Sequence, residues 1–263
     1  SSMAESSDWN YKTNGYLYTR LSSYTKNTSN NYGQEARAQL EQTTNFSKEL
    51  TALNQIRLIS NSISADLATK STPDKKDTFE TYLGENYLKY KSDNWIAEVG
   101  YQEVAWGESF GLNYADIINP KDQKETFYSD ANDSRIPLLL LNQKTFFSFE
   151  NFTGSLQVLY SPEPRFSKTL PIDLFIKDLF VQTNIKINKQ KTPALFKNSE
   201  YGGKLSLTYS GYDFSLFNYH YLDRYPYYSV INLTQTEITL DEKHHQLTST
   251  GLSFAKSIYD FVI

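Results

Sequence analysis

The sequence predicts an all-β fold, an antiparallel up-and-down transmembrane β-barrel of which about eleven strands can be placed. Three observations carry this expectation. Apolar and polar residues alternate through segment after segment, the period-2 pattern of a strand with two different faces. The connections between those segments alternate, without exception, between tight and long. No run of about 18 apolar residues occurs, so a membrane protein built from this chain has only strands with which to cross.

The first strand is expected over 14–23. A polar connection, Tyr24 to Gly33, leads to a second over 34–44, where Glu35, Arg37, Gln39 and Glu41 interleave with Ala36, Ala38 and Leu40. The tight stretch Asn45 to Lys48 closes a hairpin into a third strand, 49–60. A long connection, Asn61 to Asp77, precedes a fourth over 78–90. Lys91 to Asn94 then turns into a fifth over 95–102, with Glu98, Gly100 and Gln102 set against Ala97, Val99 and Tyr101. After the long stretch Glu103 to Arg135 come a sixth strand, 136–149, the tight Glu150 to Thr153, and a seventh, 154–161. Pro162 to Ser199 separates these from an eighth, 200–210, with Lys204, Ser206 and Thr208 against Leu205, Leu207 and Tyr209. Ser210 to Asp213 turns into a ninth over 212–222. Asp223 to His245 leads to a tenth, 246–255, and Ala255 to Ser257 to an eleventh from 257 onward.

A transmembrane barrel produces this rhythm because neighbouring strands meet alternately at a rim of short turns and a rim of long loops. The 21 tyrosines and 16 phenylalanines fit the same picture. Tyr16, Tyr18, Tyr87, Tyr90, Trp95, Tyr101, Tyr209, Tyr212, Tyr219, Tyr221, Tyr227 and Tyr228 fall near expected strand ends, where an amphipathic ring meets both membrane and water. The competing reading is a soluble all-β protein that uses tyrosine in cross-strand pairs. On the barrel reading residues 1–13 form a periplasmic N-terminal segment and 14–263 the barrel. Single-chain bacterial barrels have even strand numbers, so eleven strands ending at Phe261, Val262 and Ile263 imply further strands from beyond the sequence or from another chain.

Composition excludes several classes. The net charge of −4, without a basic stripe, makes nucleic acid an unsuitable partner. Zero cysteines agree with export without disulfides but carry little weight alone. Ser1 to Asn10 lacks the basic and apolar regions of a signal peptide, so an exported protein would be present in mature form. No cofactor is implied. His220, His244 and His245 show no metal-ligand spacing. His220 with Ser215 or Asp213 is the best available arrangement for nucleophilic catalysis, and it reads equally as a rim residue. Gly202 and Gly203 read as a strand start or bulge. The apolar stripe within 168–180 fits a short helix or an extra strand pair.

The most distinctive segment is 98–122, which contains Gly100-Tyr101-Gln102, then Trp106-Gly107-Glu108-Ser109, then Asp116-Ile117-Ile118-Asn119-Pro120-Lys121-Asp122. These pieces resemble the G-x-Q, W-G-E/D-S and D-x-x-N-P-x-D signature of a Gram-negative outer-membrane β-barrel family of unassigned function, similar in architecture to alginate-export and other substrate-specific porins. The resemblance spans about residues 80 to 260 and is concentrated at 98–122. It implies a location in the bacterial outer membrane, with the lipid bilayer and lipopolysaccharide as surroundings. Genes of such barrels often accompany proton-driven export machinery.

Residues 103–135 are too many for a simple surface connection and are expected to fold into the lumen as a constriction loop. Gly107 and Gly111 permit positive φ, Pro120 fixes the exit, and Asp116 or Asn119 caps local backbone groups. Glu98, Gln102, Glu103, Trp106, Glu108, Asp116 and Asn119 are the candidate pore residues. Their carboxylates would form an acidic ring favouring cations or polar solutes. Trp106 would either stack on a sugar ring or pack the loop against the wall. The function expected is a channel for export or uptake of a polar or amphipathic solute, with no catalytic centre. The alternative is a structural or assembly barrel that pairs with a periplasmic or envelope protein through an open strand edge.

Overall fold

The computed structural model describes residues 9–23, 32–63, 77–106, 116–122, 135–168, 184–234, 237–258 and 261–262. They contain strands and no helix. In chain order these are β1 (Asn10–Ser23), β2 (Tyr32–Asn45), β3 (Leu50–Ile63), β4 (Asp77–Lys91), β5 (Trp95–Gln102), β6 (Leu138–Phe149), β7 (Phe152–Ser161), β8 (Asn184–Asn188), β9 (Glu200–Tyr209), β10 (Tyr212–Leu222), β11 (Tyr227–Leu233), β12 (Glu237–Lys243), β13 (Gln246–Ile258) and β14 (Phe261–Val262). One sheet of eleven strands runs β1-β2-β3-β4-β5-β6-β7-β9-β10-β13-β14. Its pairings are all antiparallel. Ten of these correspond to expected strands, and the eleventh, expected from 257 onward, is the two-residue β14.

Three strands were not expected. β8, β11 and β12 form a separate sheet in the order β11-β12-β8, inside the two segments read from sequence as the polar connections 162–199 and 223–245. β12 pairs with β8 in parallel, which departs from a purely antiparallel fold. The N-terminal boundary also shifts. Residues 10–13 belong to β1 and pair with residues 42–45 of β2, so the separate segment expected up to residue 13 does not reach that far. β13 runs through the expected turn at 255–257, and β14 folds back on its end with Ser257 opposite Val262. The sheet is not closed: among the described residues β1 and β14 stand at opposite ends of the strand order.

The tight connections have local causes. At the β2–β3 link the Ser47 hydroxyl accepts from the Glu49 and Leu50 amides at 3.1 and 3.0 Å, and it donates to the Glu49 carboxylate at 2.9 Å. Between β9 and β10, Ser210 and Gly211 have φ of 48° and 80°, the pair of positive values that a two-residue type I′ turn requires. In β4 the register slips by one residue between Asn54 and Ile56 of the partner strand, a bulge at Gly84–Glu85 that brings both beside Gln55.

Register sorts the side chains onto two faces. One carries Leu17, Leu40, Ile56, Leu58, Leu83, Leu88, Val99, Leu141, Leu156, Val158, Phe214, Leu216, Leu252 and Phe254, all exposed. The other carries Gln39, Glu41, Gln55, Arg57, Glu85, Lys89, Glu98, Gln102, Asn142, Gln157, Lys204, Ser206 and Ser215. The polar face is called inner below, because the chain following β5 packs on it. Polar residues on the outer face are bonded to their neighbours. Gln143 donates to Thr145 at 2.7 Å and Asn218 to Thr250 at 2.7 Å.

Candidate functional site

The inner face holds a folded-in segment. Its two described legs, 102–106 and 116–122, pack with β6, β7 and β10 into a buried apolar cluster of Val104, Trp106, Ile118, Leu138, Leu140, Leu159, Phe217, Tyr219 and Tyr221. In a two-faced sheet whose inner residues are mostly polar, this cluster is the reason the segment stays inside. Residues 103–106 touch β3, β4, β7, β9 and β10, strands drawn from most of the width of the sheet.

Trp106 is 3% exposed. Its ring lies 5.6 Å from that of Phe217 and 5.5 Å, edge-on, from that of Tyr219. Its Nε1 donates to Gln157 Oε1 at 3.1 Å, and its carbonyl accepts from Lys204 Nζ at 2.8 Å. The ring is buried and its Nε1 is engaged, so the structure supports the packing role rather than a sugar-stacking platform. Tyr219 can lie close to the sheet because residue 202 on β9 is glycine. A Cβ there would stand 2.2 Å from the Asn218 carbonyl oxygen and 2.6 Å from the Tyr219 ring.

Asn119 and Gln102 join the two legs. The Asn119 amide donates to the carbonyls of Gln102 and Ile136 at 2.9 and 3.0 Å, while its oxygen accepts from the Val104 amide at 2.7 Å. The asparagine thus satisfies backbone groups that have no strand partner. Gln102 donates to the Leu140 carbonyl at 3.1 Å and accepts from Asn142 at 3.1 Å. Asn142 also donates to Glu98 at 2.9 Å and accepts from Gln157 at 2.9 Å. A continuous polar relay therefore runs Glu98, Asn142, Gln157, Trp106 across β5, β6 and β7.

Of the carboxylates expected to form an acidic ring, Glu98, Glu103 and Asp116 lie among the described residues. Lys89 pairs with Glu98 at 3.1 Å, and Arg57 approaches Glu103 at 3.6 Å. Asp116, with its side chain 4% exposed, is held by Lys121 at 3.0 Å and by both Nε and Nη2 of Arg135 at 3.2 and 3.1 Å. Each of these three carboxylates is paired with a cation, while Glu41 and Glu85 add two more carboxylates to the same face. The described role of the paired three is to fix the segment: Asp116 ties its return leg to Arg135, where Lys121 and Arg135 also bridge through their backbones. Glu108, Gly107 and Gly111 lie outside the described residues, as does most of the 168–180 stripe.

Beside the segment, toward the short turns, the inner wall becomes hydroxyl-rich. Ser155, Ser206, Ser215 and Ser253 occupy one register row across β7, β9, β10 and β13. A cleft of about 520 Å³ opens there, lined in part by Ser148, Thr153, Ser155, Ser206 and Thr208. Sequence reasoning missed this row, and it missed Gln157, Asn142 and Lys204, whose part depends on cross-strand register.

His220 and Ser215 lie on opposite faces of β10, so the pairing considered for catalysis is not formed. The His220 ring instead meets Thr248 Oγ1 at 2.9 Å and lies tilted, 5.2 Å from the Tyr201 ring, both on the outer face. Among the described residues no group of three or more His, Asp or Glu side chains converges as a metal site would.

No protein-family model matches this chain, and no curated protein matches it.

Proposed function

We propose that this chain forms the wall of a β-barrel in a bacterial outer membrane, and that its inward-folded segment narrows a polar lumen through which a polar or amphipathic solute passes. The observation that carries this reading is the inverted sheet: its exposed face is greasy and its covered face is hydrophilic. A water-soluble sheet buries the first and exposes the second, and an apolar surface of this extent has no place in water. Lipid accounts for both at once.

The aromatic rows support the same reading. Phe149, Phe152, Tyr209 and Tyr212 share an outer-face row beside the short turns, and Tyr160, Tyr201 and His220 share one toward the long loops. From Phe152 to Tyr160 the strand rises about 27 Å, or about 21 Å along the normal at a barrel tilt near 40°, close to the apolar band of such barrels. Between the two rows lie Leu156, Val158, Leu205, Phe214, Leu216 and Leu252. The hydrogen-bonded relay that ends on Trp106 suits a pore that selects by size and hydrogen bonding.

A specific observation favours a second reading, a structural or assembly barrel. β1 and β14 each have one edge without a strand partner among the described residues, and such edges accept strands from another chain. Planar-bilayer recording separates the two. A channel gives stepwise currents that grow when Trp106→Ala loosens the segment. A barrel with only an assembly role gives no steps in either form.

A further inference from the structure

Neither Glu200 nor Arg224 stood out in the sequence, yet they make the most heavily bonded charged pair on the inner face. Arg224 follows β10, and its side chain is 6% exposed; Glu200 opens β9, and its side chain is fully buried. All five guanidinium N–H donors are used. Nη1 and Nη2 each donate to a Glu200 carboxylate oxygen at 2.7 Å, a two-point grip. Nη1 also donates to the Arg165 carbonyl at 3.1 Å, Nε to the Ile117 carbonyl at 3.4 Å, and Nη2 to the Ile118 carbonyl. Glu200 in turn accepts from the Leu222 amide at 3.2 Å and the Tyr219 hydroxyl at 3.3 Å, which fixes it to the wall.

We propose that the Arg224–Glu200 pair is a latch that, together with the apolar cluster around Trp106, holds the inward segment in the lumen, so that the aperture depends on this pair as well as on the segment's own side chains. The proposal rests on the pore reading. Three of the five acceptors are carbonyls of chain outside the strands, so the pair positions connections and is not needed to register the sheet, which has its own ladder. A buried ion pair is often no more stabilising than apolar residues of equal volume, and in some systems what it contributes is the definition of a single arrangement. Arg224 suits that task because a planar five-donor fork reaches a carboxylate and three carbonyls together, which a lysine with three donors cannot do. Arg224 also stands in the stem of the small sheet, one residue from Asp223, whose amide donates to the His245 carbonyl at 2.7 Å and whose carbonyl meets His244 Nδ1 at 2.7 Å. The latch therefore joins the mouth of the barrel to its constriction.

The chain has no cysteine, so a single Ile118→Cys reporter reads the segment directly. Ile118 is fully buried. In the full chain, reconstituted in lipid, thiol labelling of that reporter by a water-soluble maleimide is compared with Arg224 and Glu200 intact and with the volume-matched double change Arg224→Met, Glu200→Leu. Barrel folding is checked by migration in unheated gels, and single-channel current is recorded alongside. The expected result is labelling at least tenfold faster and a larger unit current, with the barrel still folded. Arg224→Lys, which keeps the charge beside Glu200 but loses the fork, is expected to fall between the two and serves if the double change does not fold. Unchanged labelling in a folded variant overturns the latch, whatever the current does. Faster labelling with no current in any form leaves the latch standing and removes the pore reading beneath it.

Discussion

At the residue scale the inward-folded segment is a problem in satisfying backbone and filling space. Asn119 closes three backbone hydrogen bonds, and Trp106 fills the space between β7 and β10. Trp106→Ala removes the ring and leaves Gln157 without its donor. The expected cost is about 3–5 kcal/mol against the local opening of the segment, read as loss of hydrogen-exchange protection at the Val104 amide while β6 and β7 amides keep theirs. Gly202→Val tests the seat from the other side. Its side chain collides with the Asn218 carbonyl and the Tyr219 ring, and an overpacking cost of about 1–3 kcal/mol is expected, seen as a lower urea midpoint for the reconstituted protein. Asn119 and Trp106 were legible in the sequence as parts of the distinctive stretch 98–122, where Asn119 reads as a cap on local backbone groups. Glu200 and Arg224 were not: one read as the start of a glycine-rich strand and the other as a loop charge, and only the sheet register brings them together.

At the scale of elements, period-2 alternation located every strand of the large sheet, since each must present different chemistry to its two sides. It failed for the small sheet. β8, β11 and β12 are only five, seven and seven residues long and lie within stretches whose polarity reads as loop. Ile185 and Ile187, and Ile238 and Leu240, do alternate with polar neighbours. The parallel pairing of β12 with β8, however, joins segments about fifty residues apart, and no local signal reports that. The small sheet carries its own pH dependence. His244 is buried in a 3.5 Å stack with Phe166, and this burial lowers its pKa from 6.5 against the weaker opposing pull of the Asp223 carbonyl and the Glu242 carboxylate 4.0 Å away. Folding thus favours the neutral ring, and the unfolded segment takes up its proton first as pH falls. The stabilisation is complete above about 6.5 and is lost as pH drops below it, until the folded-state pKa is passed. Protection factors for β11 and β12 amides are expected to fall between pH 7 and 5 while those of β6 and β7 hold steady. His244→Phe, which keeps the stack and cannot titrate, is expected to remove the dependence.

For the whole molecule, the alternation of short and long connections was readable because successive antiparallel strands of the large sheet meet alternately at its two ends. The curling of the sheet about its inward segment was readable only as a loop too long for its task. What the sequence could not supply was which charges meet: Glu98 pairs with Lys89, Glu103 with Arg57, and Asp116 with Lys121 and Arg135. The two faces predict opposite tolerance to charge. Leu216→Arg, in the middle of the apolar band, is expected to cost about 2–4 kcal/mol in lipid, whereas Ser206→Arg on the inner wall is expected to cost close to nothing. Urea unfolding of the two variants in vesicles checks the difference.

The claim on which the account depends is that the apolar face meets lipid. Nitroxide spin labels placed singly along β10, from Tyr212 to Leu222, in vesicles measure it most directly, through collisions with oxygen and with a water-soluble nickel complex. The account predicts a two-residue period, oxygen dominating at Phe214, Leu216 and Asn218 and nickel at Asp213 and Ser215. Nickel access at both sets alike, or a folded monomer in detergent-free buffer with the first set shielded from both reagents, would contradict it.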